Sequence, residues 1–384
     1  MNESFPDTRQ TWLLKACLSS SAQEIQRYWL LWRSSVNIEH LDDASNRLLP
    51  MLYRQMETAK VSDPELARLR GIYRYHWVKN LLLMSELREI LAALRNASVE
   101  VMLLKGAALI NRYYHDPGLR PMSDLDIMVR PEDMKKVFGI LTNLHWTPRV
   151  NVDIDKIRIE RLTHAIDFVR EKNGRVIEVD LHWTPLQRAR WEGVESTFWN
   201  HSLPTTVKGI ECRLLDPTYQ LLHVCLHGGT WNIIPPFRWV ADACWILKED
   251  GPLIDWERLL NQARHQNGFM TIKTALNYLH KEFSIHIPAP VMRRFASSKP
   301  TRLEILEHRL MIRQIPGPRL DLLLLLEWLN HSRALANERV LTRLASFPGY
   351  LKLAWKLNHW YQLPGFFMRR SAVRLGLDRS NGFR

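Results

Sequence analysis

The stretch LLKGAALINRYYHDPGLRPMSDLDIM, residues 103–128, decides how this chain is read. It opens at the end of the apolar run Val101–Leu104, which breaks at Lys105-Gly106 into a helical segment. It closes on Ser123-Asp124-Leu125-Asp126-Ile127-Met128-Val129, where polar and apolar residues largely alternate. Alternation of this kind is the period of a half-buried strand. Asp124 and Asp126 then share a face, roughly 6–7 Å apart along the backbone, with Leu125, Ile127 and Val129 packing beneath. Two acids on one face repel, and a divalent cation held by carboxylate oxygens is the usual offset. A solvated edge strand with two surface acids fits an isolated pair as well.

A second stretch narrows the choice. Residues 175–183, RVIEVDLHW, follow the turn Glu171-Lys172-Asn173-Gly174, which is itself preceded by Ala165–Val169. Two such runs joined by Asn-Gly predict a hairpin. Glu178, Asp180 and His182 share one face of its second strand, and Ile177, Val179 and Leu181 the other. Set beside the first strand, Asp180 completes a cluster of three carboxylates. Metal-assisted phosphoryl chemistry uses such a cluster, with two ions about 4 Å apart on the attacking and leaving oxygens.

Lys105-Gly106 after a strand, then Arg120 ahead of Ser123-Asp124-Leu125-Asp126, then Glu178-Val179-Asp180-Leu181-His182-Trp183, resemble the polymerase-beta-like nucleotidyltransferases. Within that superfamily the chain is most similar to the bacterial group called nucleotidyltransferase family 5. The resemblance extends over roughly Leu48 to Ala263, through LLPMLYR (48–54), HVCLHGG (223–229), FRWVADACWIL (237–247) and IDWERLLNQA (254–263). It implies an α+β fold: a small mixed-sheet core with helices on one face, flanked by helical N-terminal and C-terminal domains. It also implies transfer of a nucleoside monophosphate from a nucleoside triphosphate to an acceptor hydroxyl. Asp124, Asp126 and Asp180 would hold Mg²⁺ or Mn²⁺, and Lys105, Gly106, Arg120 and Ser123 would meet the nucleotide. Matching family members often carry a histidine where Thr163-His164-Ala165 stands, so His164, with His182, is placed toward substrate. One departure is visible: many superfamily members have Gly-Ser after the first strand, where this chain has Gly106-Ala107. Phosphate grip then falls to backbone N–H groups, Lys105 and Arg120.

The remaining chain frames this core. Residues 1–98 read as a helical domain, with Asp63-Pro64-Glu65 starting a long helix and Trp29, Trp32 and Trp77 as packing residues. Residues 99–215 form the core, with a helix at Pro131–Leu144, another at Trp191–Asn200 and a second hairpin turning at Lys208-Gly209. Residues 216–384 read as helical. His223 and His227 stand one turn apart there, and Arg238 and Asp242 have the spacing of a surface pair. Since the core is too small to enclose both nucleotide and acceptor, His223, His227 and Arg238 are expected to face a cleft between domains.

The net charge of +13 fits anionic partners without naming one. Cys17, Cys212, Cys225 and Cys244 lack metal-ligand or redox spacing, and the first residues lack a basic start followed by an apolar run; both point to the cytoplasm. No run is long enough for a transmembrane helix. The C-terminal mixture of Trp355, Trp360, Phe366 and Phe367 with Lys352, Lys356, Arg369, Arg370 and Arg374 fits either a peripheral membrane contact or a packed helix and tail. Two other functions remain: a non-catalytic binding module on the same fold, and a D-x-D glycosyltransferase, which would need an α/β half upstream. The acceptor, whether small molecule, saccharide, nucleic acid or protein, is not legible.

Overall fold

The computed structural model describes residues 5–149, 164–186, 194–229 and 237–312, with shorter pieces between 324 and 368. Its centre is a mixed sheet of strands β1 (Met102–Leu103), β2 (Leu125–Met128), β3 (Thr147–Pro148), β4 (Ala165–Lys172), β5 (Arg175–His182), β6 (Ser202–Val207) and β7 (Ile210–Leu215). Their order across the sheet is β3-β4-β5-β2-β1-β7-β6. β2 runs parallel to β5 and antiparallel to β1, and β1 runs parallel to β7. Both expected hairpins are present. Asn173-Gly174 and Lys208-Gly209 each take positive φ at both residues, the geometry that matches a two-residue turn to strand twist. The two-residue edge strand β3 adds to the expected order.

One face of the sheet meets the expectation. Leu103, Leu125, Ile127, Val129, Val179, Leu181 and Leu214 are buried there. They pack with Leu87, Ile90, Leu91 and Leu94 of the helix Leu66–Asn96 and with Val137 and Leu141 of the helix Met134–Asn143. The opposite face differs from the reading of helices on one side only. Met102, Leu104, Met128 and Leu215 alternate with the acids on that face and are themselves apolar. They join a second core with the N-terminal helices and the helices Pro217–Gly228 and Arg238–Asp250. Apolar side chains on both faces require cover on both, so the acids lie under helices rather than on an open sheet.

The N-terminal and C-terminal helices also touch each other directly. Thr11 and Tyr278 hydroxyls lie 2.8 Å apart, and Lys15 Nζ donates to Glu282 at 3.0 Å. Trp29 and Trp32 are buried as expected, whereas Trp77 is 40% exposed. Asp63 accepts from the Glu65 N–H at 2.9 Å and from Trp29 Nε1 at 2.7 Å, fixing the start of the long helix. The helix at 191–200 is described from Val194 to Asn200. Of the C-terminal aromatic and basic residues, Trp355, Lys356, Phe366, Phe367, Arg369, Arg370 and Arg374 lie outside the described residues. Among the described residues no helix is long and apolar enough to cross a membrane.

Two polar ties lock the segment before β2. Asn80, fully buried in the long helix, donates to the carbonyls of Pro117 at 2.5 Å and Arg120 at 2.8 Å and accepts from the Met122 N–H at 3.2 Å. Arg120 donates Nε and Nη2 to the two oxygens of Asp242, at 2.8 and 2.9 Å, and Tyr114 adds its hydroxyl at 2.7 Å. Burial disfavours the Arg120 cation, but Asp242 outweighs it and holds the arginine charged. Asp242 is therefore engaged across the interface, and its expected surface pairing with Arg238 does not occur; Arg238 donates to the Pro121 carbonyl instead. Removing one partner of a buried ion pair strands the other. Asp242→Ala is expected to lower the unfolding free energy by about 3–5 kcal/mol in urea denaturation, and adding Arg120→Met should recover most of that loss.

Candidate active site

The acids are brought together by strand register. Asp126 of β2 lies opposite Asp180 of β5 in the parallel ladder, and Asp180 lies opposite Asp167 of β4 in the hairpin. Three carboxylates thus form a row across three neighbouring strands, with Asp124 just before β2. Donor atoms of Asp126, Asp180 and His182 all lie within 4.8 Å of one another. His182 Nε2 is 3.1 Å from Asp126 Oδ1, and the His164 ring stands 5.4 Å from that of His182. Asp167 went unnoticed in the sequence, although the Asn-Gly turn fixes it opposite Asp180 once the hairpin is drawn.

Lys105 supplies the opposing charge. It takes a left-handed backbone conformation (φ +43°) where the chain turns from β1 into the helix Lys105–Leu109. Its Nζ lies 2.5 Å from Asp126 Oδ1. Burial disfavours the ammonium, yet Asp126, Asp180 and Asp124 together raise its pKa. Burial would likewise raise the Asp126 carboxyl, but Lys105 and His182 outweigh it and hold Asp126 far below the usual carboxylate range. Asp180 goes the other way: burial first, then the negative Asp126 and Asp167, raise it. Asp124 is raised by burial and by Asp126. Neighbouring carboxylates driven in opposite directions are a common arrangement where one must hold charge and another must exchange a proton.

Part of this cluster is open to solvent. Asp124, Asp180, Lys105 and Arg238 are partly exposed and His227 is exposed, yet burial is the first cause acting on the titration of each. His223 is buried, with neither ring nitrogen hydrogen-bonded. Burial lowers both histidines, and both feel Lys105, His182 and Asp126. Arg238 feels Asp124. Ser123 is exposed and donates to Asp124 at 3.1 Å. Gly106 faces inward: a Cβ there would come within 2.6 Å of the Met122 sulfur and 3.0 Å of Arg120 Nη1, so its smallness serves packing against the 120–122 loop.

The sequence profile of a family described as "Uncharacterised nucleotidyltransferase" matches residues 43–283. The chain belongs to this family. Three solved structures align with the nucleotidyltransferase. An antigenic nucleotidyltransferase-like protein from Paracoccidioides brasiliensis shares 14% identity over 56% of this chain and 93% of its own, with a TM-score of 0.36. The antibiotic-resistance factor ANT(2'')-Ia in solution shares 13% over 53% of this chain and 98% of its own, at 0.32. Its crystal structure with adenylyl-2''-tobramycin shares 14% over 56% and 97%, at 0.26. Comparison with curated proteins finds no match.

The donor set of this nucleotidyltransferase fits a divalent cation. Carboxylates from two strands converge with an imidazole, and their mutual repulsion is only partly offset by one lysine. Because folding raises the Asp180 pKa, the stabilisation from its protonated form is fully present below the ordinary carboxylate range, about pH 4. It is lost as pH rises through the higher folded value, and Asp124 adds with the same sign. Asp126, held low, acts oppositely and only in acid. The melting temperature of the metal-free enzyme is therefore expected to fall as pH rises above the ordinary carboxylate range, with a shallower slope in Asp180→Asn. Binding of Mg²⁺ or Mn²⁺ should release protons, seen by calorimetry in two buffers of different ionisation enthalpy.

Proposed function

We propose that this nucleotidyltransferase moves a nucleoside monophosphate from a nucleoside triphosphate to an acceptor hydroxyl, with release of pyrophosphate. The observation that carries the proposal is the register that aligns Asp126 with Asp180 beside His182. These three residues would hold Mg²⁺ or Mn²⁺, which when bound neutralises charge on the phosphoryl oxygens. Asp124, next along the same face, extends the set.

Asp180 is the group suited to take a proton. The acceptor oxygen bonds to the α-phosphorus, the bond from that phosphorus to the pyrophosphate oxygen breaks, and the hydroxyl proton passes to a carboxylate oxygen of Asp180. A carboxyl raised from its ordinary range by burial and by Asp126 and Asp167 is a stronger base near neutrality than a free one. Lys105, already at the cluster, can turn its ammonium toward donor phosphate, an electrostatic contribution of the kind that dominates phosphoryl transfer. His164, whose ring stands 5.4 Å from that of His182, together with His227 and Arg238, would meet donor or acceptor, and exposed Ser123 beside Asp124 would meet the nucleotide. The four cysteines are free and buried, which supports a cytoplasmic setting.

Asp126→Asn retains size and removes the charge that a divalent ion needs. Transfer of label from an α-labelled nucleoside triphosphate to acceptors in cell extract is expected to fall by orders of magnitude. The thermal stabilisation by Mg²⁺ plus nucleotide should vanish with it. Glu178→Gln is the comparison, because Glu178 is half-exposed and pairs with Arg149 rather than with the cluster. It should retain both signals. Equal ligand-induced stabilisation in wild type and Asp126→Asn would remove the metal-dependent mechanism.

A further inference from the structure

We propose that the outward face of the helix Val340–Ala354 is an interaction surface for an anionic membrane, holding this protein peripherally at the lipid headgroups. The inference does not depend on the transferase reading, and the surface lies beyond the part of the chain that the family profile matches.

The helix packs by one side. Tyr350 and Leu351 are buried there, and Leu324, Phe347, Leu357 and Leu363 pack against them in a small core separate from the two that enclose the sheet. Polar bonds fix the same side. The Tyr350 hydroxyl donates to Glu327 at 2.7 Å, and His331 Nε2 lies 2.9 Å from the Arg343 carbonyl and 3.0 Å from Ser346 Oγ. Away from that side, at helical spacing, stand Val340, Leu341, Leu344, Ala345 and Pro348. Leu341 is 78% exposed, Val340 61% and Leu344 53%, and Ala345 and Pro348 are exposed as well. A helix at a water-facing surface turns its polar residues outward. This one turns an apolar strip outward over about two turns. Single leucines scattered on a surface need no explanation, but neighbouring ones on one helix face mark a contact.

Charge chooses the partner. From Arg339 to Arg384 the chain carries nine lysines and arginines against one acid, Asp378, so this end of the protein attracts anions. Two of the cations frame the apolar strip: Arg339, exposed just before its first residue, and Lys352, half-buried one turn past Pro348. A second copy of the chain would bring the same positive charge against this one, which opposes self-association. Nucleic acid would meet the cations but leave Leu341 and Leu344 in water. An anionic lipid surface takes both at once. Apolar side chains enter the boundary between headgroups and acyl chains, while lysine and arginine stay at the headgroup phosphates. The helix has 15 residues, about 22 Å of length, which is less than the roughly 30 Å of a hydrocarbon core. It therefore lies on the bilayer rather than across it.

The test is flotation of the full-length protein with vesicles of phosphatidylcholine alone and of phosphatidylcholine with about one-third phosphatidylglycerol. Wild type should bind the anionic vesicles about tenfold or more tightly than the neutral ones. The double change Leu341→Gln with Leu344→Gln should weaken that binding about tenfold or more, with the melting temperature unchanged because both side chains are exposed. Leu30→Gln, at an exposed leucine of the helix Ala22–Ser35, should bind as wild type. A second measurement uses Leu341→Cys carrying an environment-sensitive fluorophore; the four native cysteines are buried, so the label goes to position 341. Its emission should shift to the blue on anionic vesicles. Vesicle binding that the double variant retains, or a label that does not shift, would overturn the proposal. Leucine-dependent dimerisation in sedimentation without vesicle binding would overturn it in favour of a second copy. Binding of duplex DNA without vesicle binding would overturn it in favour of nucleic acid. Vesicle binding is read without nucleotide, so its failure leaves the transferase reading standing.

Discussion

Repulsion among carboxylates on one face of the sheet is the constraint around which this protein is arranged. Asp126, Asp180 and Asp167 align across β2, β5 and β4, and Asp124 adds a fourth negative charge at the edge. A single ammonium, Lys105, leans into the row at Asp126. That contact requires the turn from β1 into its helix to adopt a left-handed conformation at a residue with a long side chain, a costly choice for a non-glycine residue. It changes the expected behaviour of the metal-free site. An acid cluster with no counter-charge would be relieved by any neutralising change, whereas here Asp126→Asn also removes the partner of a largely enclosed lysine. The two effects oppose, so a small change in metal-free stability and a large change in ligand response belong together.

The supporting structure keeps this row under covering helices rather than on an open sheet face. The loop from Pro117 to Met122 is fastened on one side by Asn80 and on the other by Arg120 with Asp242. It delivers Asp124 and β2 into register with β5 while joining the long N-terminal helix to the helices beyond residue 216. Arg120 illustrates how position redirects chemistry. It stands beside the acid motif, where an arginine is naturally assigned to phosphate, yet its guanidinium is bound at two points to a carboxylate from another element. Fastening the loop is the role its contacts describe. Arg238, by contrast, keeps its Nε without a hydrogen-bond partner and feels the charge of Asp124.

Much was legible from local pattern. Period-two alternation at 123–129 and 175–182 gave the strand phases, and the Asn-Gly and Lys-Gly dipeptides gave the hairpin turns. Together with the family resemblance, these placed Asp126 and Asp180 in one site before any coordinates. The sequence also determined that one sheet face is apolar, since Leu125, Ile127, Val179 and Leu181 leave no other choice. What it could not determine is which partner each long polar side chain reaches. Spacing along a helix paired Arg238 with Asp242, but the carboxylate went to Arg120, over a hundred residues earlier in the chain, because burial strengthens a bidentate pair and surface spacing does not. The tertiary structure likewise decided that both sheet faces are covered and that Gly106 is small for the sake of Met122. These contacts join residues distant in sequence, and distance along the chain leaves no periodic trace of a meeting fixed by packing.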